Sequence, residues 1–462
     1  MRILLIAYDN ESYIHYFPQG LAYLAVVLER EGHDVEIYSQ DKYHYPDEHL
    51  TQYLDENKFD VVGVGVIGGY YQYRRLIRIS ESVNKSKNRP FYMIGGHGPS
   101  PEPEFFLRKA QADVVAIGES EITVVKLMEA VAGHKSLAEV KGIAYWDGSK
   151  VVVNERQPLI EDLDSLPFPA YHLFPMDYYR LMRLPHTTNT DFVMPLLSSR
   201  GCKFNCNFCY RMDEGWRTRS NANVIDEIVF LKEKYGVTYI AFSGELLMAS
   251  KEQVIRFCED IIAAKLGVRW FCDGRLNFAV PKVLKLMKEA GCVFINYGIE
   301  AMDDQILKNM NKALTVKMII KGIEATLEAG ISPGFNIIFG NIGESKETLE
   351  KGVEFLLKYD DGAQMRTIRP VTPYPGSPLY YYAIEKGLLE DCEDFYEHKH
   401  VNSDLVSVNF TDMSDDEFHR SLLKANTRLL ENYFERKLAS AIQQSEELYL
   451  GKDASFRGFR QL

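Results

Sequence analysis

The chain of 462 residues has few cysteines and tryptophans, seven and three respectively, and no long apolar run. No apolar segment approaches the roughly 18 residues that a membrane-spanning helix needs, so no membrane span is expected. The N-terminus carries one charge and then a short apolar run, without a signal-peptide core or cleavage site, and it fits a first β-strand better. These features predict a cytoplasmic protein.

Basic residues are outnumbered by acidic ones, 53 Lys and Arg against 65 Asp and Glu, which gives a formal net charge of −12. This balance argues against non-specific nucleic-acid binding, because a phosphate backbone attracts clustered basic side chains. Seven cysteines in so long a chain do not form a disulfide scaffold. The length suggests about three domains at roughly 150 residues each, and the 46% apolar content is enough to form their cores.

Residues 1–140 alternate short apolar segments with helical patterns, such as the amphipathic stretch 20–30 that ends at Gly32. The alternation predicts a doubly wound parallel sheet with helices on both faces, of the Rossmann type. Ligands of such sheets bind at the carboxyl ends of the strands, where this sequence is rich in glycine and proline. The predicted strands are 2–7, 34–38, 60–66, 90–94 and 113–117.

Residues 141–193 are predicted to form a β-hairpin around Asp147-Gly148 and then a proline-rich linker. A second series of strands and helices occupies 194–390 and predicts a partial (β/α)6 barrel with its active site at the strand carboxyl ends. Residues 391–462 are mostly charged and predict a small helical C-terminal region. The predicted barrel strands are 194–199, 238–243, 268–273, 293–299, 334–339 and 365–370.

The segment SRGCKFNCNFCY, residues 199–210, places Cys202, Cys206 and Cys209 in a CxxxCxxC spacing directly after the first barrel strand. Cysteine thiolates are the usual ligands of a [4Fe–4S] cluster, which takes four ligands, so three cysteines leave one iron open. An open iron can chelate the amino and carboxylate groups of S-adenosylmethionine (SAM). A structural zinc site or three incidental cysteines are the alternatives, but structural zinc normally uses four ligands in paired spacings and no second pair is present.

This loop, with Phe208 before its last cysteine, resembles the radical SAM superfamily. Further segments resemble that family's SAM contacts, and the resemblance covers nearly the whole barrel. Ser243-Gly244-Glu245 is similar to the motif that meets the methionine amino group, although many relatives have two acidic residues there. Arg275 is similar to the arginine near the SAM carboxylate, and Glu300 to the acid beside the ribose. The alternative for Glu245, Arg275 and Glu300 is ordinary surface charge at strand ends.

The segments 17–41 and 94–123 resemble the cobalamin-binding-type domain of one branch of the superfamily, which includes anaerobic ring cyclases and methylases of carbon or phosphorus. The usual Asp-x-His-x-x-Gly motif is missing, as it commonly is in this branch, so the resemblance implies cobalamin without an axial ligand from the protein. The nearest loop histidines are His15 and His97. A sheet that has lost the cofactor is one alternative. NAD binding at the GxGxxG letters of 63–68 is another, but these begin inside a strand. The candidate cobalamin contacts are Gly20, Gly65, Gly68, Gly96, His97, Gly118 and Glu119.

The resemblance implies a radical SAM enzyme that generates a 5′-deoxyadenosyl radical, which removes hydrogen from an unactivated carbon. With cobalamin bound, the first interpretation is methylation of a small metabolite. Radical rearrangement, cyclisation or dehydration, with or without cobalamin, is the alternative. A non-catalytic cobalamin sensor is a third possibility, although a sensor needs no open iron. The implied partners are a small-molecule substrate and an electron donor such as flavodoxin or ferredoxin.

Overall fold

A computed structural model describes residues 1–11, 16–184, 186–244 and 246–455. Its N-terminal strands form one sheet in the order β2-β1-β3-β4-β5-β6-β7, parallel through β5 and antiparallel beyond it. The strands are β1 (Arg2–Ala7), β2 (Asp34–Ser39), β3 (Val61–Gly65), β4 (Phe91–Gly95), β5 (Val114–Ala116), β6 (Ile143–Asp147) and β7 (Lys150–Val153). The helices are α1 (Gln19–Arg30), α2 (Gln40–Tyr43), α3 (Asp47–Glu56), α4 (Tyr70–Lys85), α5 (Pro103–Ala110) and α6 (Glu121–Val131).

Both faces of this sheet are buried, which explains why its strands are almost uniformly apolar. In β1, Ile3 and Leu5 pack into one core while Leu4 and Ile6 pack into the other. The predicted doubly wound sheet is therefore confirmed. The predicted hairpin also forms, but its two strands extend this sheet, which thus continues past residue 140.

The segment after the hairpin crosses from the first sheet to the barrel. It contains short 3-10 turns at Leu163–Ser165 and Tyr171–Leu173 and the helix α7 (Met176–Tyr179), and another 3-10 turn, Leu137–Glu139, precedes the hairpin. The Tyr171 ring stacks on Phe17 of the N-terminal domain at 5.2 Å, and its hydroxyl donates to Glu227 on a barrel helix at 2.6 Å. The linker therefore packs against both neighbours.

The second sheet is a parallel half-barrel in the order β8-β11-β12-β13-β14-β15, as predicted. Its last strand is much shorter than expected. Pro370 has no backbone N–H to donate, which suits it only to an edge. The strands are β8 (Val193–Leu196), β11 (Tyr239–Phe242), β12 (Arg269–Gly274), β13 (Cys292–Glu300), β14 (Ser332–Phe339) and β15 (Arg369–Pro370), with an antiparallel ribbon of β9 (Ser199–Gly201) and β10 (Trp216–Thr218). The helices are α8 (Asn221–Tyr235), α9 (Lys251–Ala264), α10 (Pro281–Glu289), α11 (Asp304–Asn309), α12 (Val316–Glu328), α13 (Lys346–Tyr359) and α14 (Pro378–Glu385).

The C-terminal region is helical, as predicted, with a π-helical turn at Asp394–Lys399 and the long helix α15 (Asp415–Tyr449). Tyr396 of the π-helical turn stacks on Tyr73 of α4 with ring centroids 4.5 Å apart. Phe418 of α15 stacks on Phe339 of β14 at 4.9 Å. The C-terminal region therefore contacts both the N-terminal domain and the barrel. In the part of the chain that the structure describes, no helix combines the length and apolar character of a membrane span.

Candidate functional site

The cysteine loop lies between β9 and β10, and the barrel end fixes its conformation. The Asn207 backbone N–H donates to the Met310 carbonyl at 2.9 Å, and its side chain exchanges two hydrogen bonds of 3.0 and 3.1 Å with Asn341. The Leu379 N–H donates to the Asn207 carbonyl at 2.8 Å. Segments from three parts of the barrel thus converge on Asn207, one of the two residues between the second and third cysteines.

The thiols of this loop fit an iron–sulfur cluster. Cys206 is buried, and its thiol lies 4.0 Å from the Arg275 guanidinium. A hydrogen bond from Cys209, together with the charges of Lys312 and Arg275, holds the pKa of the Cys206 thiol below its usual range. The described residues contain no group of three or more His, Cys, Asp or Glu with the spacing for one metal ion. A [4Fe–4S] cluster takes each thiolate on a different iron, so its cysteines need not meet at one point.

Arg275 is buried beside the cysteine loop without a carboxylate partner among the described residues. Its guanidinium lies 3.4 Å from the centroid of the Phe204 ring and donates to the Lys312 carbonyl. With 6% of its surface exposed, it is not an ordinary surface charge. A buried cation without a counter-ion suits the carboxylate of a ligand.

Glu300 ends β13 on the same side of the barrel. Its carboxylate accepts a hydrogen bond of 2.7 Å from Lys312, and both side chains are buried. Glu300 has a φ of +68°, which is costly for a residue with a side chain and persists only where the surroundings fix it. Lys312 contacts both predicted residues, since its carbonyl accepts from Arg275. Sequence reasoning missed it, because nothing but its place twelve residues after Glu300 distinguishes it.

Gly244 follows β11 and packs closely against β9. A Cβ atom at this position would lie 2.7 Å from the Ser199 hydroxyl, so a larger residue would separate the two segments. The neighbouring Ser243 hydroxyl donates to the Gln19 side chain at 2.5 Å, which links the barrel mouth to the N-terminal domain. Glu245 lies outside the described residues. The Phe208 ring centroid lies 5.6 Å from Lys312 Nζ, beside the loop.

A cavity of about 590 Å³ lies between the carboxyl ends of the N-terminal sheet and the barrel mouth. Six of the seven candidate cobalamin contacts line it. The seventh, Gly68, is not among the lining residues and instead packs against the C-terminal region, where its carbonyl accepts from the Tyr396 hydroxyl at 3.2 Å. On the barrel side the lining residues are Leu197, Ser199, Arg200, Gly201, Met212, Asp213 and Ser243.

The N-terminal wall of this cavity is bare backbone at several points. Gly96 has a φ of +97°, and a Cβ atom there would lie 2.5 Å from the Val66 carbonyl oxygen. Only glycine fits such a position, and it lets a large flat ligand approach the strand ends. His97 lines the cavity, and its enclosure there lowers the pKa of its imidazole. These residues fit a corrin ring; His15 lies outside the described residues.

Glu119 lines the cavity, but its carboxylate binds two arginines of the barrel. Arg200 donates to it at 3.0 Å and Arg217 at 2.9 Å, and the Ile160 N–H adds a third bond at 2.9 Å. Arg200 also contacts Glu121. Burial opposes ionisation of Glu119, but these hydrogen bonds outweigh it and lower its pKa. The position of Arg200 two residues before Cys202 was the only signal in the sequence, and it does not reveal the partner.

Comparisons with known proteins agree with this geometry. The family model described as the radical SAM superfamily matches residues 196–356, and that described as the B12 binding domain matches residues 9–128. An uncharacterised methyltransferase of Pyrococcus horikoshii is 31% identical over 400 residues, covering 84% of each chain. An anaerobic magnesium-protoporphyrin IX monomethyl ester cyclase of Rubrivivax gelatinosus is 28% identical over 390 residues, covering 82% of this chain and 68% of that one.

Among solved structures, the methyltransferase TsrM from Kitasatospora setae, with cobalamin and a [4Fe–4S] cluster bound, superimposes with a TM-score of 0.69 at 18% identity. The match covers 83% of this chain and 78% of that one. The two family models indicate SAM with the [4Fe–4S] cluster of that superfamily, and cobalamin, as the cofactors. The chain belongs to the radical SAM superfamily, in the branch with a B12-binding domain before the barrel.

Proposed function

We propose that this enzyme methylates an unactivated carbon of a small metabolite. The observation that carries the proposal is the cavity that joins the glycine-lined end of the N-terminal sheet to the barrel mouth beside the cysteine loop. A methyl carrier at that wall and a substrate in the barrel would face each other across it. When bound, the cluster supplies the electron that cleaves SAM, and cobalamin supplies the methyl group.

The contributions of the chain are binding, orientation and exclusion of water. Cys202, Cys206 and Cys209 hold the cluster, and Arg275 binds the carboxylate of SAM. Gly244 and Glu245 meet the amino group of SAM. Glu300, held by Lys312, lies beside the ribose. Gly20, Gly65, Gly96 and Gly118, which line the cavity, would hold the corrin. His97 and Glu119 would line its edge, and Phe208 would pack beside the cluster.

The wider setting is part of the same proposal. The functional units are the cobalamin-binding domain of residues 1–140, with the hairpin that continues its sheet, the barrel of 194–390 and the C-terminal region of 391–462. Radical SAM enzymes act on small substrates and need a reductant. We propose that flavodoxin or ferredoxin supplies electrons and that the protein works in the cytoplasm.

A radical cyclisation is the second candidate, because the cyclase of R. gelatinosus aligns with 82% of this chain. The two reactions differ in the fate of the methyl group of SAM. Methylation transfers it to the product, whereas cyclisation leaves it in methionine. Isotope labelling of that group therefore separates the candidates.

The test uses anaerobically purified enzyme, reconstituted with iron, sulfide and cobalamin. It is incubated with SAM that carries a trideuterated methyl group, a chemical reductant and a fractionated small-metabolite extract. Methylation predicts one product that carries the deuterated methyl group, and the variant with all three cluster cysteines replaced by alanine is the control. Formation of 5′-deoxyadenosine with a new unlabelled product would overturn methylation and favour cyclisation.

A further inference from the structure

Inside the barrel, three polar side chains on neighbouring strands form a connected ladder. Asp273 of β12 accepts a hydrogen bond of 2.8 Å from the Asn296 side chain of β13. The Asn296 side-chain oxygen in turn accepts one of 3.0 Å from Asn336 of β14. Asp273 lies two residues before Arg275, which directly follows β12, so the ladder is one layer further into the barrel than the predicted SAM contacts.

The ladder faces the barrel interior. Trp270 and Cys272 alternate with Asp273 along β12 and are fully buried in the core beneath the helices, so Asp273 points the other way. Asn296 pairs with Gly334 of β14, where a Cβ atom would lie 2.4 Å from the Asn296 oxygen. The lack of a side chain at Gly334 therefore gives the Asn296 amide its room.

The hydrogen-bond directions follow from the chemistry of the three groups. An ionised carboxylate only accepts, so Asn296 must present its NH2 group to Asp273, and its oxygen must then accept from Asn336. Among the described residues nothing donates to the second oxygen of Asp273 or to the amide oxygen of Asn336, so both can accept from a ligand. No described lysine or arginine forms an ion pair with Asp273, and burial raises the pKa of its carboxyl group. The ladder is thus a site that lacks a positive charge.

Aromatic rings lie on the interior side of the ladder. The Phe271 ring packs against Phe294 at 6.0 Å and against Tyr239 at 6.4 Å, and His186 stacks on Phe294 at 5.2 Å. On the other side, Tyr16 of the cavity wall is near enough that the charge of Asp273, after burial, raises the pKa of its hydroxyl. The ladder therefore lies between the interdomain cavity and an aromatic floor.

We propose that Asp273, Asn296 and Asn336 bind a protonated amine of the substrate, and that the aromatic floor holds an apolar or ring-shaped body attached to it. The substrate class is a small amine with one such body. The inference rests on the proposed function, because it places the methyl acceptor of that reaction. The carboxylate supplies the charge that the amine requires, and the Asn336 oxygen supplies a second acceptor.

The test is calorimetric titration of the cofactor-loaded enzyme with 2-phenylethylamine and with 2-phenylethanol, in the presence of SAM. The amine should bind more tightly than the alcohol, and Asp273→Asn should weaken its binding about 10- to 100-fold, as expected for a lost charged hydrogen bond. Asn336→Ala, at an exposed side chain, should weaken it less. Asp260→Asn removes a carboxylate that accepts from Asn221 on the barrel exterior and is the matched control.

Three results would overturn the inference: no binding of the amine to the wild type, equal affinity in Asp273→Asn, or equal affinity for amine and alcohol. A loss of SAM affinity in Asp273→Asn would also overturn it, since the ladder would then belong to the SAM site. Cluster iron content and melting temperature report whether each variant folds. Failure of methyl transfer in the labelling assay, with amine binding still dependent on Asp273, would refute the proposed function alone.

Discussion

Replacement of Glu119 by glutamine tests whether the buried ion pairs couple the cobalamin-binding domain to the barrel. The side chain of Glu119 is 4% exposed, and those of Arg200 and Arg217 are 13% and 9% exposed. Ion pairs at this depth are poorly screened by solvent. Glutamine keeps the shape of the side chain and removes its charge, so the variant isolates the electrostatic contribution.

The expected loss of unfolding free energy depends on which carboxylate partners Arg200 and Arg217 keep in the variant. Removing one partner of a buried ion pair costs about 3–5 kcal/mol, because the other charge stays buried without compensation. Arg200 keeps Glu121 as a partner, and Arg217 keeps Asp213 at 3.9 Å. We therefore expect Glu119→Gln to lower the free energy of unfolding by about 3 kcal/mol, at the lower end of that range.

The pH dependence has a definite sign. The pKa of Glu119 is lower in the folded protein than its ordinary value of 4.5. A lowered carboxylate pKa contributes stability above the unfolded value, and that stability is lost as the pH falls through the folded value. The difference between wild type and Glu119→Gln should thus be full at neutral pH and shrink below about pH 4.5.

Denaturant unfolding of the apoprotein at several pH values measures this difference, and a cobalamin titration of the variant adds a functional readout. Glu417→Gln is the matched control, because Glu417 pairs with Lys346 at a half-exposed site and should cost less than about 1 kcal/mol. The reasoning is refuted if Glu119→Gln is no less stable than this control, or if its deficit persists unchanged at acidic pH.

Four further outcomes are expected. Replacing the three cluster cysteines by alanine should abolish about four irons per chain together with SAM cleavage, measured by iron analysis and chromatography. Arg275→Ala should weaken SAM binding about 10- to 100-fold at unchanged iron content, measured by equilibrium dialysis. Hydroxocobalamin should bind stoichiometrically, and the Co(II) spectrum should lack nitrogen hyperfine splitting, in His97→Ala as in the wild type. Burial raises the pKa of Glu344 to about 8, so stability should fall as the pH rises from about 4.5 to 8, and Glu344→Gln should remove this fall in denaturant unfolding.

The strands of the N-terminal sheet could be predicted to within one or two residues, because buried parallel strands are short apolar runs between polar turns. The hairpin could be predicted from its turn residues, but not the sheet that it joins. Membership of a sheet depends on the pairing of β6 with β5, a contact that local sequence does not encode. The strand β15 was predicted at 365–370, but its short length was not, since the extent of an edge strand is decided by what lies beside it.

The cysteine loop could be predicted because its three cluster ligands are close in sequence. The side chains that surround it come from distant segments and could not all be predicted. In the sequence, nothing marks Lys312 or Arg200 as part of a site. Only the fold brings Lys312 to Glu300 of β13, and Arg200 to Glu119 of the N-terminal domain. Gly68 is a residue that sequence reasoning wrongly included, since it was predicted to contact cobalamin but does not line the cavity. It belongs to a glycine-rich loop, but three residues beyond the end of β3 the chain has already turned towards α4 and the C-terminal region.

The charges inside the barrel also favour one arrangement of the two ligands, SAM and the proposed amine substrate, which the amino-acid composition does not reveal. The chain is acidic overall, yet the Arg275 guanidinium lies 4.0 Å from the Cys206 thiol, and the charge of Lys312, although paired with Glu300, also acts on this thiol. Asp273 on β12 lies two residues before Arg275 and deeper in the barrel, and no described lysine or arginine forms an ion pair with it. A carboxylate is thus attracted to the outer layer and repelled by the inner one, and an amine experiences the reverse. This alternation would keep the carboxylate of SAM at the cluster and an amine substrate below it, so that electrostatics alone disfavours exchange of the two ligands.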